Sequence, residues 1–240
     1  MSLHVAHARL AAACNDWSWR DDPEDPDCPE TIQAMQIVLN LPKQDTPTRT
    51  EVLEAAARAV VAACLDPRAG DDTAYAEAFA AWYGHRIRKV ARRARNKAWR
   101  DVQNLPGVTV ADRARAFAPS AVSDVDPLIS KLQIGHTELE HDMPGPATPG
   151  EPVIYIDEGL AMTAGKAAAQ VGHGSMLLAA AHPYAWVADW AERGFPLSVR
   201  ELPTAEFQAA CARPGAVIVR DAGYTEVAPD SATVVALPAA

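Results

Sequence analysis

A lysine, an amide and an imidazole lie at helical spacing in the second half of the chain. Lys166, Gln170 and His173 are four and then three residues apart, so in a helix of about 3.6 residues per turn their side chains share one face. The preceding stretch 152–157 is rich in β-branched residues and is followed by a turn with Gly159, which predicts a strand leading into that helix. Lys166 is then in the first turn, where the helix dipole adds to its charge. An anionic ligand is expected.

Composition limits the classes of protein that the chain can belong to. It has 240 residues, of which 49% are hydrophobic, and nineteen prolines, which favours two compact domains over one. No run of eighteen apolar residues and no signal peptide is recognisable, so we expect a cytoplasmic protein without a membrane span. The four cysteines form no Cys-x-x-Cys pair, which is typical of reduced thiols. We predict neither a metal nor a cofactor.

The net charge of -9 conceals one strongly basic segment. Residues 86–100 contain eight basic residues and no acid, whereas residues 151–240 carry ten acids against five bases. Such a segment is either a solvated face that offsets nearby acids or a surface that attracts phosphates. We favour RNA contact, and the candidate RNA-binding residues are Arg88, Lys89, Arg92, Arg93, Arg95, Lys97 and Arg100.

Proline and glycine positions divide the chain into four parts. Residues 1–30 end in an acidic, proline-broken stretch, and we expect little regular structure there. Residues 31–136 form a first domain and residues 152–240 a second one. The segment 137–151, with three prolines and two glycines, is predicted to be the linker between them.

The two domains show the same predicted order of elements. Each runs as strand, two helices, strand, helix and two strands, although residues 86–95 fit a helix as well as a strand. Local echoes support a repeat, because Leu105-Pro-Gly-Val-Thr-Val resembles Arg213-Pro-Gly-Ala-Val-Ile. We therefore predict an α/β fold of two small domains, each a mixed four-stranded β-sheet with helices, the first a degenerate copy without the polar site. Chance similarity of two short α/β domains is the alternative.

Two spaced motifs in the second domain resemble those of the type 2 peptidyl-tRNA hydrolases. The resemblance covers residues 152–238 and follows the family's order of elements. It implies metal-independent hydrolysis of the ester between a peptide and the 3′ ribose of tRNA. The motifs read Met162-x-x-Gly165-Lys166-x-x-Ala169-Gln170-x-x-His173 and Asp221-Ala-Gly223-Tyr-Thr225-Glu-Val-Ala-Pro229-Asp-Ser231-x-Thr233.

The resemblance implies roles for the residues of both motifs. Lys166, Asp221 and Thr225 fall on positions regarded as catalytic, and Gly165, Gln170, His173 and Gly223 fall beside them as supporting residues. In a water-attack route, Lys166 stabilises the oxyanion or binds the terminal phosphate, and Asp221 orients or deprotonates water. Thr225 hydrogen-bonds to the carbonyl or the ribose. His173 either transfers a proton or supports the site.

The chain departs from the family pattern at several positions. The family's Arg-x-Asp-Leu is replaced by Asp157-Glu-Gly-Leu160, and the usual Arg and Gln of the second motif are replaced by Tyr224 and Glu226. Fewer cations therefore surround the site, and we expect the basic segment of the first domain to supply phosphate contacts.

These observations lead to one functional hypothesis and one alternative. The chain is predicted to be a hydrolase that releases peptide and free tRNA from peptidyl-tRNA and acts in translation. It is expected to be a monomer that forms an internal pseudo-dimer, or a homodimer. The alternative is a non-catalytic tRNA- or RNA-binding or regulatory protein that retains the fold.

Overall fold

The computed structural model describes residues 2–15, 24–25, 27–221 and 227–239 of the chain. Within these ranges the chain forms two α/β halves, each with its own mixed β-sheet. The predicted fold class is therefore confirmed, with a short fifth strand added to the first sheet. Among the helices of these ranges, we find none whose length and hydropathy suit a membrane span.

Among its described residues the first half contains five strands and six α-helices, counting an N-terminal helix that precedes the sheet. In chain order they are α1 (Ser2–Asn15), β1 (Gln33–Asn40), α2 (Arg49–Cys64), α3 (Pro67–Gly70), α4 (Ala74–Tyr83), β2 (Arg88–Ala94), α5 (Asn96–Val102), β3 (Gly107–Val110), β4 (Ala114–Phe117), β5 (Ser120–Ala121) and α6 (Pro127–Ser130). The main sheet order is β2-β1-β4-β3, and β5 pairs with the start of β1. The first two strands are parallel and the remaining pairs are antiparallel.

The second half repeats this arrangement with fewer elements. It consists of β6 (Val153–Asp157), α7 (Ala164–Ala181), α8 (Tyr184–Glu192), β7 (Ser198–Leu202), α9 (Thr204–Cys211), β8 (Val217–Arg220) and β9 (Ala232–Leu237). The sheet order is β7-β6-β9-β8, again with one parallel pair beside two antiparallel pairs. Both sheets thus have the same strand order and the same strand directions.

The two halves pack against each other through α2 and α7. Both helices are rich in small residues, which lets their backbones approach closely. A Cβ atom on Gly172 would lie 2.9 Å from Cγ2 of Val60, and the Ser175 hydroxyl donates to the Ala57 carbonyl across the contact at 2.7 Å. Buried residues of both halves belong to one hydrophobic core. The halves are therefore joined by close packing as well as by the chain.

Threonine caps begin both central helices. The Thr48 hydroxyl accepts from the Glu51 amide, and the Glu51 carboxylate accepts from the Thr48 amide, which completes a capping box for α2. The Thr163 hydroxyl accepts from the Lys166 amide at the start of α7. Each cap satisfies backbone donors that the first helical turn leaves unpaired.

The N-terminus corrects one expectation. Little regular structure was expected in residues 1–30, but Ser2–Asn15 form helix α1. Ala6 and Leu10, one turn apart, are buried, and Nε2 of His7 lies 3.1 Å from the carbonyls of Ala179 and His182 at the end of α7. Tertiary burial stabilises a short helix that has little intrinsic stability. Most of the acidic, proline-broken stretch lies outside the described residues.

Candidate active site

Lys166 lies in the first turn of α7, as the sequence predicts, and is the third residue of that helix. The neighbouring Gly165 lies against Thr137, whose hydroxyl accepts from the Gly165 amide at 3.0 Å. A Cβ atom on Gly165 would lie 2.7 Å from the Thr137 hydroxyl oxygen. Glycine is therefore required for this close approach, and the predicted linker segment, to which Thr137 belongs, holds the start of the helix that carries the lysine.

Asp221 follows strand β8 directly and faces this helix. Its Oδ2 atom lies 2.5 Å from Nζ of Lys166, and it accepts from Nε2 of Gln170 at 2.6 Å. The side chains of Asp221 and Lys166 are 9% and 13% exposed. Two donors from successive turns of one helix thus fix the orientation of a nearly buried carboxylate, and such charge-assisted hydrogen bonds are stronger than neutral ones.

Gln170 is itself oriented by Thr233 of β9. The Thr233 hydroxyl donates to Oε1 of Gln170 at 2.8 Å, and both side chains are buried. The carboxylate of Asp221 can only accept hydrogen bonds, so the Gln170 amide must direct its NH2 group toward Asp221 and its oxygen toward Thr233. Thr233 belongs to the second sequence motif, but its supporting role was not predicted. Its position in the second motif was the sequence feature from which this role could have been predicted.

His173 lies on the same face of α7, one turn after Gln170, and contacts the first half. Its Nδ1 atom lies 3.0 Å from Nζ of Lys89 on strand β2. Burial, together with the ammonium groups of Lys89 and Lys166, holds the pKa of His173 well below its usual value of 6.5. The imidazole is therefore neutral at physiological pH. This contact between the halves was not predicted from the sequence.

The polar cluster opens into a cleft of about 1110 Å³ between the two halves. One wall is formed by α7 and the end of β8, and it includes Lys166, Gln170, His173 and Asp221. The opposite wall includes β2 and the residues just before it. The predicted site therefore faces the first half of the chain across a cavity large enough to hold a small-molecule group.

The corresponding position in the first half has different side chains. Counted from the capping residues Thr163 and Thr48, the counterparts of Lys166, Gln170 and His173 are, in order, Glu51, Ala55 and Arg58. These three residues form part of the lining of a cavity of about 220 Å³. At the position three residues after the cap, the second half has a lysine and the first half has a glutamate.

The basic segment forms β2 and α5, and several of its cations have partners within the chain. Two of them form ion pairs: Arg88 with Glu24, and Lys97 with Asp101 at 2.6 Å. Arg92 donates to Oε1 of Gln36 at 2.8 Å. Arg93 donates to Oε1 of Gln133 at 2.9 Å. Arg100 is exposed and Arg95 is half-buried, whereas Lys89 is buried. RNA contact by these residues stays a prediction.

The structure brings together four of the predicted site residues, namely Lys166, Gln170, His173 and Asp221, with Gly165 beside them. Thr225 and Gly223 lie outside the described residues. The assignment of Thr225 as catalytic and of Gly223 as supporting stays a prediction.

Comparison with known families identifies the second domain. Residues 151–240 match the family model described as peptidyl-tRNA hydrolase PTH2. This confirms the resemblance inferred from the two motifs and, at the level of the family, supports hydrolase activity for this part of the chain. No curated protein matches the chain.

Proposed function

We propose that this protein hydrolyses the ester bond between a peptidyl, or N-blocked aminoacyl, group and the 3′ end of tRNA, releasing peptide and free tRNA. The observation that carries the proposal is the contact of Lys166 and Gln170 with one carboxylate oxygen of Asp221 at 2.5 and 2.6 Å. This cluster lies in a cleft and within the part of the chain that matches a peptidyl-tRNA hydrolase family.

The geometry supports a reaction in which water attacks the ester carbon. Asp221 acts as the group that orients the water and accepts its proton, because its carboxylate is held by two donors and stays in place during the reaction. Lys166 supplies the positive charge for the oxyanion that develops on the carbonyl oxygen, or for the terminal phosphate. Thr225 completes the site by hydrogen-bonding to the carbonyl or the ribose, as the family resemblance implies.

The first domain is proposed to be a degenerate copy of the second one. The support is the shared strand order of the two sheets and the matching threonine caps of α2 and α7. In this arrangement one chain reproduces a dimer, so a monomer is sufficient for activity. The first domain then forms the far wall of the cleft and brings basic residues close to the bound tRNA.

The proposal is tested by measuring the release of an N-blocked amino acid from tRNA. We expect Lys166→Ala to lower kcat/KM by about a hundredfold or more, the effect of removing an oxyanion stabiliser. Arg193→Ala is the matched control, because Arg193 is an exposed cation paired with Asp189 on α8. Absence of release by the native protein would favour a non-catalytic tRNA-binding protein. Equal release by native protein and Lys166→Ala would place the chemistry at other residues.

A further inference from the structure

Lys89 is a buried cation where the two halves meet. Its side chain extends from β2 toward α7, and the residue is 9% exposed. Its Nζ atom lies 3.0 Å from Nδ1 of His173, 3.5 Å from the sulfur of Met176 and 5.0 Å from the centre of the Trp82 ring. Within the ranges that the structure describes, it has no carboxylate partner.

The neighbours of Lys89 do not balance its charge. Cys14 of α1 and Cys64 of α2 are close enough to influence it electrostatically, but burial raises their pKa values to about 11 and about 12, so both thiols are neutral. His173 is also neutral, and Lys166 is a further cation that acts on the same imidazole. Burial of an unpaired ammonium is unfavourable, and a methionine or leucine would fill this space at lower cost. The position therefore points to a function.

The contact with Lys89 determines the state of the His173 ring. While Lys89 is an ammonium it has only donors, so Nδ1 of His173 must accept and therefore carries no proton. The proton of the neutral ring then lies on Nε2, which becomes a donor. His173 lines the same cleft as Lys166 and Asp221. A lysine of the first domain thus selects which hydrogen-bonding group the histidine presents at the site of the second domain.

We propose that Lys89 is a positioning residue of the hydrolase site, which holds His173 as the Nε2–H tautomer so that this N–H hydrogen-bonds to the bound ester or its ribose. The inference rests on the proposed function. This role gives the first domain a direct part in the reaction, because Lys89 of the first domain supplies the hydrogen bond that holds His173 in the site. Burial lowers the pKa of Lys89 to about 7, so the ammonium that fixes this tautomer predominates below about pH 7.

The experiment is a double-mutant cycle with Lys89→Met and His173→Ala, measured as ester hydrolysis on N-blocked aminoacyl-tRNA. Methionine keeps the length and apolar contacts of Lys89 but cannot donate to the imidazole. We expect Lys89→Met to lower kcat about tenfold with little change in KM. The double variant is expected to match His173→Ala alone, because Lys89 acts through His173. An unchanged kcat for Lys89→Met, or two effects that simply multiply, would overturn the inference.

A second measurement separates this inference from the proposed function. Nitrogen-15 NMR of labelled histidine reports which ring nitrogen carries the proton, whether or not the protein is active. Below pH 7, where Lys89 is an ammonium, we expect His173 to be protonated on Nε2 in the native protein and to show a mixture of tautomers in Lys89→Met. An active native protein with the same tautomer in both forms would overturn the role of Lys89 alone. An inactive native protein would overturn the proposed function, and the role in hydrolysis with it.

Discussion

Replacing Lys89 by methionine is expected to stabilise the fold in a way that depends on pH. Burial lowers the pKa of Lys89 from 10.5 to about 7. Between these values the unfolded chain binds a proton that the folded chain does not bind, so the stability of the native protein rises with pH across this interval. Below about pH 7 both states are protonated and the full cost of burying the charge remains.

The magnitude follows from the same interval. At about 1.4 kcal/mol for each pH unit, burial of the Lys89 ammonium costs up to about 5 kcal/mol at pH 7 and below. Methionine fills the same space without a charge, so this cost disappears in the variant. The free energy of unfolding of Lys89→Met should therefore exceed that of the native protein most at pH 7 and below. The difference should shrink by about 2 kcal/mol between pH 7 and pH 9.

Urea unfolding followed by tryptophan fluorescence measures this difference, since Trp82 lies beneath the Lys89 ammonium. Lys131→Met, at an exposed lysine, controls for the exchange of any lysine for methionine. A stability difference that is the same at pH 7 and pH 9 would refute the reasoning, because the burial cost would not be linked to protonation. A Lys89→Met variant less stable than the native protein at pH 7 would refute it as well.

Two further predictions concern the site and the basic segment. Gln170→Met removes a charge-assisted hydrogen bond to Asp221. We therefore expect the free energy of unfolding to fall by about 2 kcal/mol and kcat to fall as well. An unchanged free energy of unfolding would show that this hydrogen bond contributes little to stability. Glutamine replacements at Arg95, Lys97 and Arg100 in the basic segment should make tRNA affinity less dependent on salt concentration. The change in the slope of log affinity against log salt should correspond to the loss of about two phosphate contacts. The control variant carries glutamine at three exposed cations elsewhere, namely Lys43, Arg193 and Arg213. An equal change in the salt dependence of this control would contradict the prediction that tRNA binds at the basic segment.

Local sequence patterns were sufficient for the elements that carry the site. Threonine before each central helix and the β-branched strand at 153–157 each specify a local structure through capping or propensity. Side chains at i, i+4 and i+7 must share a helix face, so the common orientation of Lys166, Gln170 and His173 followed from spacing alone. The two motifs also predicted that Asp221 would lie near this helix.

The N-terminal helix shows where local patterns were insufficient. The segment Ser2–Asn15 has no acidic residue in its first turn and no basic residue in its last turn. Its stability comes from burial of residues such as Ala6 and Leu10 against elements distant in sequence. Such burial depends on the folded arrangement of the other helices, so the sequence of the segment did not reveal it.

The sequence by itself determined the order of the elements along the chain, the helix that carries Lys166 and the family of the second domain, because these depend on spacing between nearby residues. The tertiary structure alone decided that α2 and α7 pack together and that Lys89 reaches His173, residues 84 positions apart. It also decided that Thr233 orients Gln170. Contacts of this kind are set by how two folded halves fit together, and no local pattern of residue types records that fit.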